Sequence, residues 1–247
     1  MKRFDEEVSD RIAAQGENRR LAHAASGFLM ASAATQYSYN FSWLGRPIIQ
    51  YPQDILAMQE LVWRVQPDLI IETGIAHGGS LIFYASLLEL NAACGGSPFA
   101  KVLGIDTDIR FYNRKAIEAH PLYRRITMLQ GSSTDPVVVE QVRTMASCRT
   151  TVMVCLDSNH THDHVLAELN AYAPLVSVGS YCVVFDTLIE GMPEKMFPNR
   201  PWGPGNNPMT AVREYLRDHP EFESDRTVDH KLMISVAPYG YLRRTQE

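Results

Sequence analysis

The sequence predicts an α/β protein: a doubly wound, mostly parallel seven-stranded sheet closed by an antiparallel C-terminal strand pair. Three observations predict it. Short apolar runs alternate with helical segments through the middle of the chain. The runs are continuously apolar, as parallel strands covered on both faces must be. Each ends on a polar or glycine-rich turn, where open α/β sheets place their ligands.

Taken in order, the first 35 or so residues are Ala-rich and charged and read as helical with little apolar periodicity. Residues 35–54, TQYSYNFSWLGRPIIQYPQD, are aromatic and broken by Gly45, Pro47 and Pro52, which predicts an irregular segment laid against the rest. Residues 1–52 thus form an N-terminal helical and aromatic cap, ahead of a domain of residues 53–247. Asp54 reads as the N-cap of a helix in which Ile55, Met58, Val62 and Val65 recur at helical spacing before Pro67 closes it. Strands are expected at DLIIE, KVLGID, RITMLQ, TVMVCLD and GSYCVVFD, with helices at SLIFYASLLELNAA, FYNRKAIEAH, DPVVVEQVRTM and THDHVLAELNAY between them. Parallel strands need such crossovers. Residues 187–208 contain five prolines and read as a long loop, of the kind that serves as a lid. Asn207 and Pro208 open a helix to about Leu216, and FESDRTVDH with KLMISVAPYGYLRR read as the closing strand pair.

The 247 residues suffice for one large domain with a proper core. A net charge of -5 without clustered Lys and Arg argues against a nucleic-acid surface and for a small-molecule or glycan-sized substrate. The four cysteines are scattered and read as reduced thiols, neither a disulfide frame nor a C-x-x-C metal site. No apolar run has the roughly 18 residues of a membrane span, and MKRFDEEVSDR lacks the apolar centre of a signal peptide, so a cytoplasmic location is expected.

The strand ends carry the chemistry. ETGIAHGGS supplies Glu72, Gly74, His77, Gly78, Gly79 and Ser80, a turn whose glycines let a ligand approach the backbone. It lacks the G-x-G-x-x-G spacing of dinucleotide folds, and Asp106 lies more than thirty residues beyond Gly74 instead of about twenty. Asp106 still suits a ribose diol, whose two hydroxyls one carboxylate can accept. Ser132 and Ser133 in QGSSTD offer hydrogen bonds to an adenine edge. LDSNHTHDH, residues 156–164, raises a different possibility, a histidine metal cage of a hydrolase or oxygenase. It lacks the spacing of H-x-H-x-D-H and has no distant His set to complete it.

This ordered set resembles the class I S-adenosylmethionine-dependent methyltransferases, with their Rossmann-like fold. From about Tyr37 to the C-terminus, the segments YSYNFSWLGRPIIQYPQDI, LIIETGIAHGGSLIFYAS and LDSNHTHDHVLAELNAYAPLVSVGSYCVVFDT are similar to the cephalosporin hydroxylase and rhamnosyl O-methyltransferase family. The resemblance implies S-adenosylmethionine at the glycine loop, with Asp157 bordering it, and a divalent metal, usually magnesium, on Asp157 and Asp186. Catechol O-methyltransferase has a similar pattern, with a lysine base three positions beyond its first Asp; His160 stands there in this chain. Two departures matter: Phe185 precedes Asp186 where relatives tend to carry an acid, and Thr187 stands where catechol-type enzymes have Asn. Asn159, water and substrate oxygens are candidates to complete the metal.

The implied reaction is transfer of a methyl group to a hydroxyl of a sugar or glycosylated natural product. His160 is the expected base, since an imidazole ordinarily titrates near neutrality, with Asp157 beside it in the catalytic group. Tyr37, Tyr39, Trp43, Gln50, Tyr51 and Trp202 are candidate substrate walls, and the aromatic N-terminal segment suggests a homo-oligomer. The remaining alternative is a relative that keeps the cofactor pocket but has lost catalysis through Phe185 and Thr187.

Overall fold

Leu69–Thr73, Val152–Leu156 and Tyr181–Val184 are buried at every position, so these runs can only be interior strands with cover on both faces. In the computed structural model, which describes residues 3–246, they lie at the centre of a seven-stranded sheet. We number the strands β1 (Phe41–Trp43), β2 (Arg46–Ile48), β3 (Leu69–Thr73), β4 (Lys101–Asp106), β5 (Ile126–Gln130), β6 (Val152–Leu156), β7 (Tyr181–Val184), β8 (Phe222–Ser224) and β9 (Tyr241–Arg244). The helices are α1 (Phe4–Glu17), α2 (Arg19–Ala34), α3 (Pro52–Val65), α4 (Gly79–Ala93), α5 (Phe111–Glu118), α6 (Pro136–Ala146), α7 (His162–Tyr172), α8 (Pro208–Asp218) and α9 (Arg226–Leu232).

The sheet order is β5-β4-β3-β6-β7-β9-β8, with β9 antiparallel to both of its neighbours and the remaining pairings parallel. This is the doubly wound sheet with its antiparallel end that the sequence predicts. The chain winds outward from β3 to β5, then returns to place β6 on the other side of β3. The connections after β3 and β6 run to opposite sides of the sheet, which opens a crevice there.

Alternation sends neighbouring strand residues to opposite faces. Ile70, Met153, Cys155, Val183 and Tyr241 share one core with α3, α4 and Ile117 of α5. Leu69, Ile71, Val154, Leu156, Val184 and Leu242 share the other with α6, α7 and α8. Helix α4 is apolar nearly all round, which suits a helix covered on both sides. The sheet covers one side. On the other, the Trp43 ring packs edge-on against Phe83 at 4.9 Å, and its Nε1 donates to Ser86 Oγ at 3.0 Å.

Three local expectations are corrected. Residues 41–48 form an antiparallel hairpin, β1 with β2, where an irregular segment was expected; Gly45, at φ +85, makes the reversal possible. The stretch from Asp225 to Pro238 is mostly helix α9 and turn, so the closing strand pair is confined to Phe222–Ser224 and Tyr241–Arg244. Asp54 does not cap α3, which starts two residues earlier with Pro52 at its first position, a place that proline's fixed φ favours.

Asp54 instead lies buried inside the first turn of α3. Its carboxylate accepts from Ser235 Oγ at 2.6 Å, Val236 N at 3.0 Å and Tyr241 Oη at 2.7 Å, tying α3 to the start of β9. Burial raises its pKa from 3.8 to about 6 against the pull of these three donors. A folded-state pKa above the unfolded one contributes stability that is fully present below the unfolded value and is lost as the pH rises through the folded value. A shift of about two units corresponds to about 3 kcal/mol. Urea unfolding of wild type and Asp54→Asn should therefore diverge between about pH 4 and about pH 7, the wild type losing about 3 kcal/mol relative to the variant. Parallel pH profiles would contradict this assignment.

Candidate active site

The crevice begins with a backbone contact. Gly74 follows β3 at φ +92, and a Cβ on it would lie 2.0 Å from the carbonyl oxygen of Asp157, which follows β6. Its own N–H donates to Ile105 O at 2.8 Å, while Asp157 N donates to Thr73 O at 3.0 Å. The adjacent strand ends are thereby held together just where their chains part. Gly78, at φ +80, then turns the chain into α4. Ala76 takes a left-handed φ of 45 without being glycine, a sparsely populated conformation that clusters at functional loops.

The glycine loop is held from two sides. Asp106 Oδ2 accepts from Ile75 N at 2.9 Å and Ala76 N at 3.3 Å, and its Oδ1 accepts from Asp108 N at 3.0 Å. Oδ2 is thereby filled by two donors, while Oδ1 keeps a lone pair for a further one. From the hairpin, Arg46 Nε donates to His77 O at 3.0 Å, and its Nη2 to Asn113 Oδ1 at 2.9 Å. Asn113 Nδ2 in turn donates to Ala76 O at 2.7 Å. A Cβ on Gly79 would meet Pro47 O at 2.1 Å, so β2 lies directly on the start of α4. Sequence reasoning did not find Arg46 or Asn113, which bond each other across 67 residues and hold the loop by backbone carbonyls, neither of which leaves a sequence signature.

Below the loop, Glu72 is buried, with Oε2 lacking any partner. Burial pushes its carboxyl up to about 8, with Ser80 pulling it back through a hydrogen bond and the charge of Asp106 adding to the rise. Of the serines after β5, Ser132 Oγ bonds Thr134 Oγ1 at 3.0 Å. Ser133 is buried, and its Oγ lies 3.2 Å from His164 Nε2.

Beyond β6 and β7, one oxygen each of Asp157 and Asp186 and a ring nitrogen of His160 lie within 4.8 Å of one another. His160 Nε2 is 3.2 Å from Asp186 Oδ2. Burial, then the charges of Asp186 and Glu72, holds the Asp157 carboxyl well above the ordinary carboxylate range. Two facing carboxylates whose proximity disfavours ionisation suit a hard divalent cation, which takes oxygen ligands. Gln50 Nε2 approaches Asp157 Oδ2 at 3.4 Å from the N-terminal segment, while its buried Oε1 has no partner.

The two departures from the resembled pattern acquire structural roles. Phe185 is buried in the core, and Thr187 Oγ1 donates to Pro238 O at 2.7 Å. Asn159 Oδ1 is taken by Thr161 N and Thr161 Oγ1, at 3.0 and 2.9 Å. The Thr187 proton and Asn159 Oδ1 are thus engaged locally, whereas a His160 ring nitrogen stands within 4.8 Å of oxygens of Asp157 and Asp186.

The histidine-cage alternative is overturned by geometry. His162 Nδ1 lies 2.8 Å from Thr210 Oγ1 and its Nε2 3.3 Å from Glu214, on the α8 side. His164 meets Ser133, Ser158 and Glu168. Among the described residues, Asp157, His160 and Asp186 are the one group of three placed to share an ion.

Of the candidate walls, Gln50 and Trp202 touch this group. The Trp202 ring stands edge-on to His160 at 4.9 Å, carried by the loop after β7. That loop is latched by Glu190, which accepts from Gly205 N at 2.8 Å and Asn207 Nδ2 at 2.6 Å and pairs with Arg213. These contacts hold the Glu190 carboxyl below its ordinary range, the Gly205 N–H first among them. Tyr37 and Tyr51 pack together with Phe28, Trp43 packs on α4, and Tyr39 is exposed.

This sheet order, with a glycine turn after the first parallel strand and acids on the strands beside it, is that of a Rossmann-like methyltransferase fold. Residues 35–245 match the model of the Rhamnosyl O-methyltransferase/CmcI family, and the chain belongs to that family. A Rhamnosyl O-methyltransferase of Mycobacterium tuberculosis is 34% identical over 196 residues, 77% of this chain and 73% of the relative. One of Mycobacterium leprae is 30% identical over 205 residues, 82% of each chain. Among solved structures, a Mg-SAM form of CmcI superposes with a TM-score of 0.58 at 20% identity, covering 84% of this chain and 78% of CmcI. An apo form gives 0.57 at 20% identity, with 85% and 78% covered. At that identity the likeness is one of fold. No helix among the described residues is long and apolar enough to cross a membrane.

Gly74→Ala should be among the most damaging single changes, because φ +92 and the Asp157 carbonyl both exclude a Cβ. A loss of at least about 2 kcal/mol in chemical unfolding is expected, against about 0.5 kcal/mol or less for Gly191→Ala, which meets no atom.

Proposed function

We propose that this protein transfers the methyl group of S-adenosylmethionine to a hydroxyl of a sugar or glycosylated natural product, with a divalent metal, Mg2+, as second cofactor. The observation that carries the reading is the Asp157–His160–Asp186 group at the crevice where Gly74 opens the glycine loop. The names of the relatives at 34% and 30% identity support a sugar acceptor.

The site gathers four acids, and burial with their mutual proximity disfavours the ionised form of Glu72 and Asp157, with Asp106 and Asp186 beside them. A sulfonium cofactor and a divalent cation are ligands whose positive charge favours that form. Glu72, Gly74, His77, Gly78, Gly79, Ser80 and Asp157 would border the cofactor, with Asp106 facing its ribose and Ser132 near its base. Ser133 supports that turn from beneath through His164. Asp157 and Asp186 would hold the metal. Bound there, the cation supplies positive charge that makes an acceptor hydroxyl easier to deprotonate.

Mg2+ prefers oxygen, whereas imidazole suits softer ions, so His160 is left to take the acceptor proton at Nδ1, the ring nitrogen that does not face Asp186. Asp186, 3.2 Å from Nε2, accepts the N–H of that nitrogen and orients the ring. The Trp202 ring stands edge-on to His160 at 4.9 Å and covers one side of the imidazole. Holding two reactants in line is worth about 7 to 11 kcal/mol and a general base about 10² to 10⁴ in rate. Geometry therefore carries the larger share.

His160→Ala should leave the Kd for S-adenosylmethionine within about threefold and lower kcat by about 10² or more. Asp186→Asn should raise the Mg2+ concentration needed for half-maximal activity by about tenfold or more. Titration calorimetry and a methyl-transfer assay on deoxysugar glycosides test both; a wild type that fails to bind the sulfonium cofactor would refute the reading.

A further inference from the structure

One stripe of α7 is not used by the chemistry above. His164, Glu168 and Tyr172 stand at i, i+4 and i+8, so they share one face of the helix. That face reaches two different turns. Tyr172 Oη donates to Ser133 O, and His164 Nε2 lies 3.2 Å from Ser133 Oγ. The same Nε2 lies 3.1 Å from Ser158 Oγ, whose hydroxyl donates to Glu168 Oε1 at 2.7 Å. Ser133 belongs to the turn after β5 on the cofactor side; Ser158 directly follows Asp157 on the metal side.

Glu168 is fully buried, and its Oε2 has no hydrogen-bond partner. Within the stripe, its side-chain donors are Ser158 and, at 3.3 Å, His164 Nε2. A buried carboxylate short of donors makes each remaining one costly to lose. Yet Nε2 faces three oxygens and carries either one proton or one lone pair, so it cannot satisfy them all at once. How it is used depends on where both serines stand. Fixing the turn of Ser133 settles the role of Nε2, and with it the best position of Ser158 and the Asp157 before it. The converse holds equally.

We propose that the His164–Glu168–Tyr172 stripe is a positioning strut that couples the two ligands, so that metal at Asp157 and Asp186 tightens cofactor binding and cofactor tightens metal binding by the same factor, as linkage requires. The proposal rests on the function proposed above. It concerns residues that touch neither ligand.

The test is titration calorimetry with S-adenosylhomocysteine, at zero and at saturating Mg2+, on wild type, His164→Ala and Ser158→Ala. In wild type, Mg2+ should tighten S-adenosylhomocysteine on the order of tenfold, within the range usual for coupled sites. In both variants the factor should fall to about twofold or less, while affinity measured without Mg2+ stays within about threefold of wild type. A simple loss of stability would not move this ratio. Ser158 is exposed and its replacement removes one oxygen, so this variant keeps the test open if His164→Ala fails to fold. An undiminished factor in Ser158→Ala, or a wild-type factor near one, would overturn the strut while leaving the methyltransferase reading intact. No binding of S-adenosylhomocysteine by wild type under either condition would overturn both.

Discussion

The ends of β3 and β6 meet so closely that hydrogen is the only side chain that fits between them. The contact of Gly74 with the Asp157 carbonyl fixes the separation of the glycine loop from the acids, and much else follows from it. Asp106 can reach back to the loop's amides because that loop leaves the sheet at once. Asp157 can face Asp186 because its strand ends in register with β7, Phe185 N bonding Leu156 O at 3.0 Å. Carboxylates converge at this point because strand polarity and sheet order bring their strands to one edge, against their mutual repulsion. Such an arrangement persists only if folding energy comes from elsewhere. It comes from the two apolar cores under the sheet.

The N-terminal segment is part of this site and not an accessory to it. Arg46 and Pro47 sit on the glycine loop and the start of α4, and Gln50 reaches the Asp157 carboxylate. Asp54, four residues further on, is bonded to Ser235, Val236 and Tyr241 near the other end of the chain. Residues 46–54 therefore join the cofactor loop, the acid pair and the antiparallel edge of the sheet. A division at residue 52 describes the change in composition along the chain better than it describes how the parts are held.

The sheet was legible because buried parallel strands leave a local mark: KVLGID and RITMLQ are strands within a residue of where the pattern puts them. The glycine turn and the strand-end acids were legible for the same reason. The hairpin at 41–48 was not, since three-residue strands give no period to detect. Helix α9 was missed because none of its residues is buried and its seven residues offer no apolar stripe. The histidines show the limit most clearly. His160, His162 and His164 alternate in a short run, yet face Asp186, Glu214 and Glu168 respectively, three carboxylates on three different elements. Sequence spacing says that they diverge; only the packing of α7 on its neighbours says toward what.

The loop from 187 to 207 is closed on itself by Glu190 near its start, which bonds Gly205 and Asn207 near its end, and it carries Trp202 to His160. In the function proposed above, acceptor contacts and cofactor contacts would thus fall on separate pieces of chain. Divergence among descendants of such a protein can rewrite residues 193–206 without touching β3, β4 or the turn between Gly74 and Ser80. On that same proposal, one scaffold, unchanged where it would hold its methyl donor, can in this way pass through a succession of acceptors.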